Sequence, residues 1–245
     1  MKEAGRIGVL GGTLDPIHLG HLDAALAAKE ALRLDRVLVI PAHIPPHRAR
    51  PVSSAFHRFA MAAVAVNGLD GFAVSDIELA SAAPSYTADT LLQLQETMSL
   101  PPSQIFFITG ADAFAEIETW RRYPHVLDLA HFVVISRPGT TLTSLRTRLP
   151  GLRDRMRLPL GTAIPQKKGV RHLKGPDPFP HATAIFLVDA PTTDVSSTEV
   201  RRRMASGLPV HGLVPPAVEH HIKQHGLYTE RSVLSSSADH LHGQN

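Results

Sequence analysis

The chain has 245 residues, 43% hydrophobic and 19% charged, which suits one large α/β domain or two smaller ones. It contains no cysteine, which excludes disulfides, thiolate metal sites and thiol nucleophiles. No apolar run approaches the roughly 18 residues that span a bilayer, and the N-terminus leads directly into the first predicted strand, leaving no room for a signal peptide. We therefore expect a cytoplasmic protein without membrane contact.

The formal net charge of +3 is concentrated in one segment. Residues 141–180 hold nine Lys or Arg and two Asp, a local charge of +7 that could attract nucleotides or nucleic acid. A solvated basic surface explains such a run equally well, and we favour that explanation. We accordingly expect no nucleic-acid partner.

Strand-like and helix-like segments alternate along the chain. The predicted strands are Arg6–Leu10, Arg36–Pro41, Phe72–Ser75, Gln104–Thr109, His131–Ser136 and Ala184–Val188. The predicted helices are Leu19–Leu32, Ala55–Asn67, Thr87–Met98, a broken helix over Ala113–Leu129 and a basic helix over Leu142–Met156. This alternation predicts an α/β fold with a Rossmann-like, doubly wound parallel sheet that binds ligands at the carboxyl ends of its strands.

Two segments interrupt this rhythm. A Gly/Pro-rich basic loop at about residues 159–182 is inserted before the last predicted strand, and we expect it to be disordered. A lid over a bound triphosphate or a contact in a homo-oligomer remain alternatives for this loop. The polar residues 230–245 lack periodicity and are predicted to form a frayed tail.

The segment from Gly11 to His21 reads GGTLDPIHLGH and joins the first predicted strand to the first predicted helix. Gly11, Gly12 and Thr13 let the backbone approach an anion, and a helix start offers unpaired N–H groups. His18 and His21 can share a helix face and direct N–H donors at a phosphoryl group. A capping or core histidine pair, or a weakly supported zinc site, are the alternatives. This phosphate segment, from Gly11 to His21, predicts a polyphosphate site.

Further motifs follow in chain order: PAHIPPHR at 41–48, SYTADTL at 85–91, GAD at 110–112 followed by Trp120, VSSTEVR at 195–201, and VPPAV to GLY over 214–228. Together with the HxGH segment, this series resembles the bacterial nicotinate-nucleotide adenylyltransferases of the HxGH nucleotidylyltransferase superfamily, over about residues 6–228 without the basic loop. The resemblance implies a single nucleotidyltransferase domain over residues 1–229 with a small C-terminal helical part.

The reaction that this resemblance implies is transfer of the adenylyl group of ATP to nicotinate mononucleotide, which yields nicotinate adenine dinucleotide, a precursor of NAD, and pyrophosphate. The attacking phosphate is already ionised, so a direct in-line attack needs no covalent intermediate. It needs two anions held in line and a neutralised leaving group. N–H donors, cations and a magnesium ion held through the ATP phosphates, without protein metal ligands, meet that need.

For the ATP half of the site, the resemblance assigns His18 and His21 to the phosphates and the transition state. A helix start at Ser196 supplies amides to the polyphosphate, although a capping box from Ser196 to Glu199 explains the same residues and is compatible. Asp112 contacts ribose hydroxyls, with a helix N-cap as the alternative. The ATP-binding residues so implied are Gly11, Gly12, Thr13, His18, His21, Asp112, Ser196, Ser197, Thr198 and Arg201.

For the acceptor half, the resemblance implies that Tyr86 and Thr87 receive the nicotinate carboxylate at a helix start and that Trp120 stacks on the nicotinate ring. A helix cap and a core tryptophan are the alternatives. Arg48 stands where the family usually has Lys, and the two cations differ in geometry. The implied substrate-binding residues are His43, His47, Arg48, Tyr86, Thr87 and Trp120.

Two other functions compete with this one. Another HxGH enzyme, such as a pantetheine-phosphate adenylyltransferase or a cytidylyltransferase, shares the phosphate segment but does not require a pocket for a carboxylate and an aromatic ring. A non-catalytic NAD-binding or regulatory module would not need both histidines and Arg201.

Overall fold

A computed structural model describes residues 5–46, 51–79, 83–136, 142–159 and 183–229. Within these ranges the strands are Ile7–Gly12 (β1), Arg36–Pro41 (β2), Phe72–Val74 (β3), Ile105–Gly110 (β4), His131–Ile135 (β5), Met156–Arg157 (β6) and Ile185–Val188 (β7). The helices are Leu19–Leu32 (α1), Ala55–Val66 (α2), Thr87–Met98 (α3), Ala111–Phe114 (α4), Leu142–Arg148 (α5), Ser197–Ala205 (α6) and Pro216–Gln224 (α7).

The described strands form one seven-stranded sheet in the order β3-β2-β1-β4-β5-β7-β6. The pairs β2–β3, β4–β5, β5–β7 and β6–β7 are all parallel, with Val37 opposite Phe72 and Phe107 opposite Phe132. Strands β5 and β7 are buried along their whole length, as expected for parallel strands covered by helices on both faces. The predicted Rossmann-like parallel sheet and the C-terminal helices are confirmed.

Residue contacts divide the fold into two compact units, each assembled from separate stretches of chain. The first comprises the described residues of 1–9, 24–36 and 87–191. Its interior contains an aromatic cluster in which the ring of Phe132 lies 5.6 Å from that of Phe107 and 5.8 Å from that of Phe114. The second comprises the described residues of 10–23, 37–86 and 192–245, and in it α2 packs against β3 and α7.

The predicted basic helix over Leu142–Met156 is wrong in its second half. Helix α5 ends at Arg148, because Pro150 lacks an amide hydrogen and disfavours helical backbone at Leu149, whose φ and ψ are −118° and 66°. A 3₁₀ turn over Pro150–Arg155 and strand β6 follow. The broken helix is confirmed, as the short α4 and 3₁₀ turns at Ile117–Thr119 and His125–Asp128.

Most of the predicted loop at 159–182 and the whole tail at 230–245 lie outside the described residues, and the domain boundaries stay a prediction. No helix in the described part of the chain is long and apolar enough to cross a membrane.

Three histidines meet where α2 packs against α7. The Nδ1 atom of His57 lies 3.2 Å from Nε2 of His221, and the ring of His225 lies 5.0 Å from that of His57 and 4.4 Å from that of His221. Burial lowers the pKa of His57, and His225 lowers it further. Burial also lowers the pKa of His221, as do His225, His57 and His220. The packed helices therefore favour the neutral imidazoles of His57 and His221.

We expect the free energy of unfolding to fall as the pH drops through the ordinary histidine pKa of about 6.5. Because folding lowers the pKa of His57 and His221, the unfolded chain binds more protons in acid. The stability from this cluster is thus present above about pH 6.5 and lost as the pH falls through the folded pKa values. Denaturant unfolding of wild type and His225→Gln between pH 8 and pH 5 measures it, and the variant should lose less stability over that interval.

The control for this experiment is His125→Gln, which changes an exposed histidine of the first unit and should leave the pH dependence as in wild type. Burial lowers the pKa of His131 to about 4, which adds acid sensitivity of the same sign to every variant. The same slope in wild type and His225→Gln would contradict the prediction.

Candidate active site

The phosphate segment begins at the end of β1 and leads into α1. His18 is 2% exposed and its ring stacks on that of His21, with centroids 3.6 Å apart and planes 27° apart. The backbone amide of His18 donates to Nδ1 of His21 over 3.3 Å. In the neutral ring of His21 the proton is then on Nε2, so this histidine presents an N–H donor. The two rings therefore lie side by side, although His18 precedes α1 and only His21 lies in the helix.

The start of α6 reaches the same segment. The Ser197 hydroxyl donates to the Pro16 carbonyl over 2.9 Å. Arg201 donates to the Asp15 carbonyl over 2.6 Å and to the Thr198 hydroxyl over 3.2 Å. The structure thus brings together two of the three predicted parts of the ATP site, although the bonded residues are 181 and 186 positions apart in the sequence.

Ser196 caps α6, because its hydroxyl accepts the amide hydrogen of Glu199 over 3.1 Å. The capping explanation of this residue is therefore correct, and it coexists with the contacts of its neighbours. The Glu199 carboxylate accepts from Arg202 and Arg203, whose hydrogen bonds lower its pKa to about 2. These two arginines form ion pairs with Glu199 at the surface.

Asp23 and Gly20 of α1 both contact the chain before α6. Asp23 accepts the backbone amide and the hydroxyl of Thr193 over 2.8 and 2.6 Å. A Cβ atom placed on Gly20 would lie 2.9 Å from the Thr193 carbonyl oxygen and 3.3 Å from Nδ1 of His18. The glycine between the histidines is thus required by close backbone packing.

Arg58 is a further residue that sequence reasoning missed. Its side chain is 1% exposed and donates to the carbonyls of Thr13 over 2.8 Å and His43 over 3.0 Å, and also to that of Ala42. The signal in the sequence is a single arginine in a mostly apolar helix, AFHRFAMAAVAV. A charged side chain buried with such a helix must use its hydrogen-bond donors, which predicts a role in holding other segments. Arg58 therefore joins the phosphate segment to the loop after β2.

The loop after β2 is also bound to the residues before α3. The amides of His43 and Ile44 donate to the Ser85 hydroxyl over 2.9 and 3.3 Å, and the Ser85 amide donates to the Ile44 carbonyl over 2.8 Å. This places half-buried His43 and Tyr86 on two connected loops of the second unit. His47 and Arg48 lie outside the described residues.

The remaining predicted ligands belong to the first unit. Asp112 is exposed in the first turn of α4, whose N-cap is Gly110, so the N-cap explanation of Asp112 is wrong. Half-buried Trp120 packs its ring 6.0 Å from that of Phe107, with the two planes at 89°. The core explanation is thus correct for part of this side chain, and the rest is accessible.

Thr87 begins α3, and an ion pair joins its helix turn to the Trp120 turn. Asp89 lies 3.2 Å from the Arg122 guanidinium and 3.6 Å from that of Arg121. The two predicted elements of the acceptor pocket in this unit are therefore held by a direct contact.

Among the described side chains, no group of three or more His, Cys, Asp or Glu residues is arranged to hold a metal ion.

We expect Gly20→Ala to destabilise the protein by about 1–3 kcal/mol, because the new Cβ meets a backbone oxygen that cannot turn away. Gly151→Ala is the matched control, since a Cβ there meets nothing within 4 Å. The control should be neutral or stabilising by up to about 1 kcal/mol. Denaturant unfolding of both variants measures the difference, and equal stabilities would refute this packing role of Gly20.

Comparison with known proteins identifies the family. The model of the cytidylyltransferase-like family matches residues 9–203. A probable nicotinate-nucleotide adenylyltransferase of Desulfatibacillum aliphaticivorans is 37% identical over 232 residues, which cover 91% of this chain and 99% of that protein. Another, from Chromohalobacter salexigens, is 38% identical over 226 residues, which cover 91% and 95%.

A solved structure shares the fold. The nicotinic acid mononucleotide adenylyltransferase of Plasmodium falciparum, complexed with NaAD, superposes with a TM-score of 0.65 over 92% of this chain and 98% of that chain, at 16% identity. Low identity limits this likeness to the fold, whereas the curated relatives match in sequence along nearly their whole length. The chain therefore belongs to the cytidylyltransferase-like family and, within it, to the nicotinate-nucleotide adenylyltransferase enzymes.

Proposed function

We propose that the protein transfers the adenylyl group of ATP to nicotinate mononucleotide, forming nicotinate adenine dinucleotide and pyrophosphate for NAD biosynthesis. The observation that carries this proposal is the meeting of Asp15 and Pro16, just before the HxGH histidines, with the start of α6. Arg201 lies 2.6 Å from the Asp15 carbonyl, and the Ser197 hydroxyl lies 2.9 Å from that of Pro16. The names of the curated relatives support the same reaction.

The ATP half of the proposed site consists of N–H donors and one fixed cation. Gly11, Gly12 and Thr13 bring the backbone close to the triphosphate, and Ser196 to Thr198 offer the start of α6. His18 and His21 then donate hydrogen bonds to the α-phosphate of the transferred adenylyl group and to the leaving pyrophosphate, and Arg201 adds a positive charge. Asp112 would bind the ribose of ATP.

The proposed mechanism is a direct in-line attack by the phosphate of nicotinate mononucleotide on the α-phosphorus of ATP. A bond forms from the acceptor oxygen to phosphorus while the bond to the pyrophosphate oxygen breaks, so no covalent enzyme intermediate is needed. The chain's part is to hold both anions in line and to present donors where charge develops. These donors are already arranged by stacking and hydrogen bonding, which limits their reorganisation during the reaction.

Magnesium fits this site through the phosphate oxygens of ATP, where it would add positive charge. It prefers oxygen ligands, whereas His18, His21 and Arg201 offer imidazole and guanidinium groups that suit the phosphates themselves. We therefore assign no protein ligand to the metal.

The proposed acceptor half would favour the acid over the amide. Donors at the Tyr86–Thr87 helix start match a nicotinate carboxylate, and an amide in that place leaves some of them poorly paired. The accessible part of Trp120 offers a ring on which nicotinate can stack. His43, together with His47 and Arg48 outside the described residues, would hold the mononucleotide phosphate.

The first experiment measures pyrophosphate release from ATP with each candidate acceptor. We expect release to require nicotinate mononucleotide and to be much slower with nicotinamide mononucleotide. Stimulation by phosphopantetheine, with nicotinate mononucleotide leaving the background unchanged, would instead support a pantetheine-phosphate adenylyltransferase. Binding of NAD without any release would support a non-catalytic module.

We expect His18→Ala to lower kcat by at least about 100-fold, the size typical for loss of one transition-state donor. The variant removes a buried ring, so thermal unfolding of the same sample must show that it is folded at the assay temperature. His125→Ala, at an exposed site, is the control and should keep wild-type turnover. Near-normal kcat in folded His18→Ala would remove this residue from the proposed role.

We expect Trp120→Ala to raise KM for nicotinate mononucleotide by about 5-fold, because stacking of a flat ring is worth roughly 1 kcal/mol. KM for ATP should stay within twofold, since the proposed ATP contacts do not include this side chain. Initial rates with each substrate varied in turn separate the two constants. An equal rise in both would point to general disturbance of the fold.

A further inference from the structure

The phosphate segment contains a buried carboxylate that none of the roles above uses. Asp15 is 3% exposed, and its side chain accepts the amide hydrogens of Val52 over 2.8 Å and Ser53 over 3.3 Å. It also accepts from the Ser53 hydroxyl and, over 2.7 Å, from the Tyr228 hydroxyl. These donors come from the chain before α2 and from the residues after α7. A carboxylate this deeply buried is stable only when hydrogen-bond donors such as these offset its loss of hydration.

The backbone of the same residue contacts the proposed phosphate ligands. The Asp15 carbonyl accepts from Arg201, and the next carbonyl, that of Pro16, accepts from Ser197. The position of the Asp15 peptide therefore sets the direction of the Arg201 guanidinium. The side chain of Asp15 is anchored on one side, and its carbonyl orients a cation on the other.

Tyr228 is the most distant anchor in sequence and one of the most deeply buried. It is 1% exposed, and its hydroxyl also lies 3.1 Å from that of Ser53. Burial and the neighbouring Asp15 raise its pKa, so the phenol keeps its proton and remains a donor. A hydroxyl 213 residues away in sequence thus helps to fix the phosphate segment.

We propose that Asp15, Ser53 and Tyr228 are positioning residues of the phosphate site, which hold the Asp15 peptide so that Arg201 points at the reacting phosphates. The inference rests on the proposed function, because it takes Arg201 to act on the phosphates. The residues after α7 thereby complete the active site, although none of them contacts a ligand in the proposed function.

The sharpest variant is Tyr228→Phe, which removes the hydroxyl and keeps the buried ring. We expect kcat to fall by about 10-fold, the size expected for loss of one hydrogen bond to a charged group. KM for nicotinate mononucleotide should stay within twofold. Ser53→Ala, which leaves both backbone donors to Asp15 in place, is the second variant and should act in the same direction. It replaces Tyr228→Phe in every comparison if that variant does not fold.

A double-mutant cycle with Arg201→Ala separates positioning from simple stabilisation. If Tyr228 acts through Arg201, adding Tyr228→Phe to Arg201→Ala should change kcat by less than twofold. A stabilising contact alone would lower the unfolding temperature and leave kcat of the folded enzyme unchanged. Unchanged kcat in Tyr228→Phe, or a full 10-fold effect in both backgrounds, would overturn the proposal.

The control is Tyr123→Phe, a hydroxyl deletion in the other unit, which should leave kcat and both KM values unchanged. A wild-type protein without release dependent on nicotinate mononucleotide would overturn the proposed function instead. The double-mutant cycle of Tyr228→Phe and Arg201→Ala would then be repeated with the Kd for ATP, measured by calorimetry, in place of kcat. Coupling of Tyr228 to Arg201 in that affinity would keep the positioning role, and its absence would refute it.

Discussion

A buried guanidinium organises the region around the phosphate segment. Arg58 donates to carbonyls at Thr13, Ala42, His43 and Ser53, so segments from three parts of the sequence end on one side chain. Burying such a charge is costly unless its donors are used, and carbonyls supply partners without bringing further charge. Any arrangement of these loops that left the donors unpaired would lose that compensation, which restricts the loops to one geometry.

The same region contains a buried negative charge. Burial lowers the pKa of Arg58, while the nearby Asp15 opposes this effect by favouring the charged guanidinium. Asp15 in turn is satisfied by amides and hydroxyls, so each charge has its own hydrogen bonds. A site prepared in this way presents donors to a polyphosphate with little rearrangement, which is the general condition for electrostatic catalysis.

Agreement between sequence and structure is closest where periodicity is local and strong. The bounds of α1, α3 and β2 match their predictions, because apolar residues recur at helical spacing in the two helices and form a continuous run in the strand. The predicted helix over Leu142–Met156 is wrong beyond Arg148. That prediction followed the basic amphipathic pattern and gave too little weight to Pro150, which ends the helix. The N-cap explanation of Asp112 is also wrong, because the helix begins two residues earlier than it requires and Gly110 is the N-cap.

By itself, the sequence determined the alternation of elements, the reaction class expected from the HxGH motif, and the spacing of His18 and His21. These depend on neighbouring residues and on the order of motifs. Only the tertiary structure decided that Gly20 packs against Thr193, that Arg58 joins separate loops, and that Tyr228 reaches Asp15. Such contacts join residues far apart in the chain, and their geometry exists only once the helices and sheet have packed.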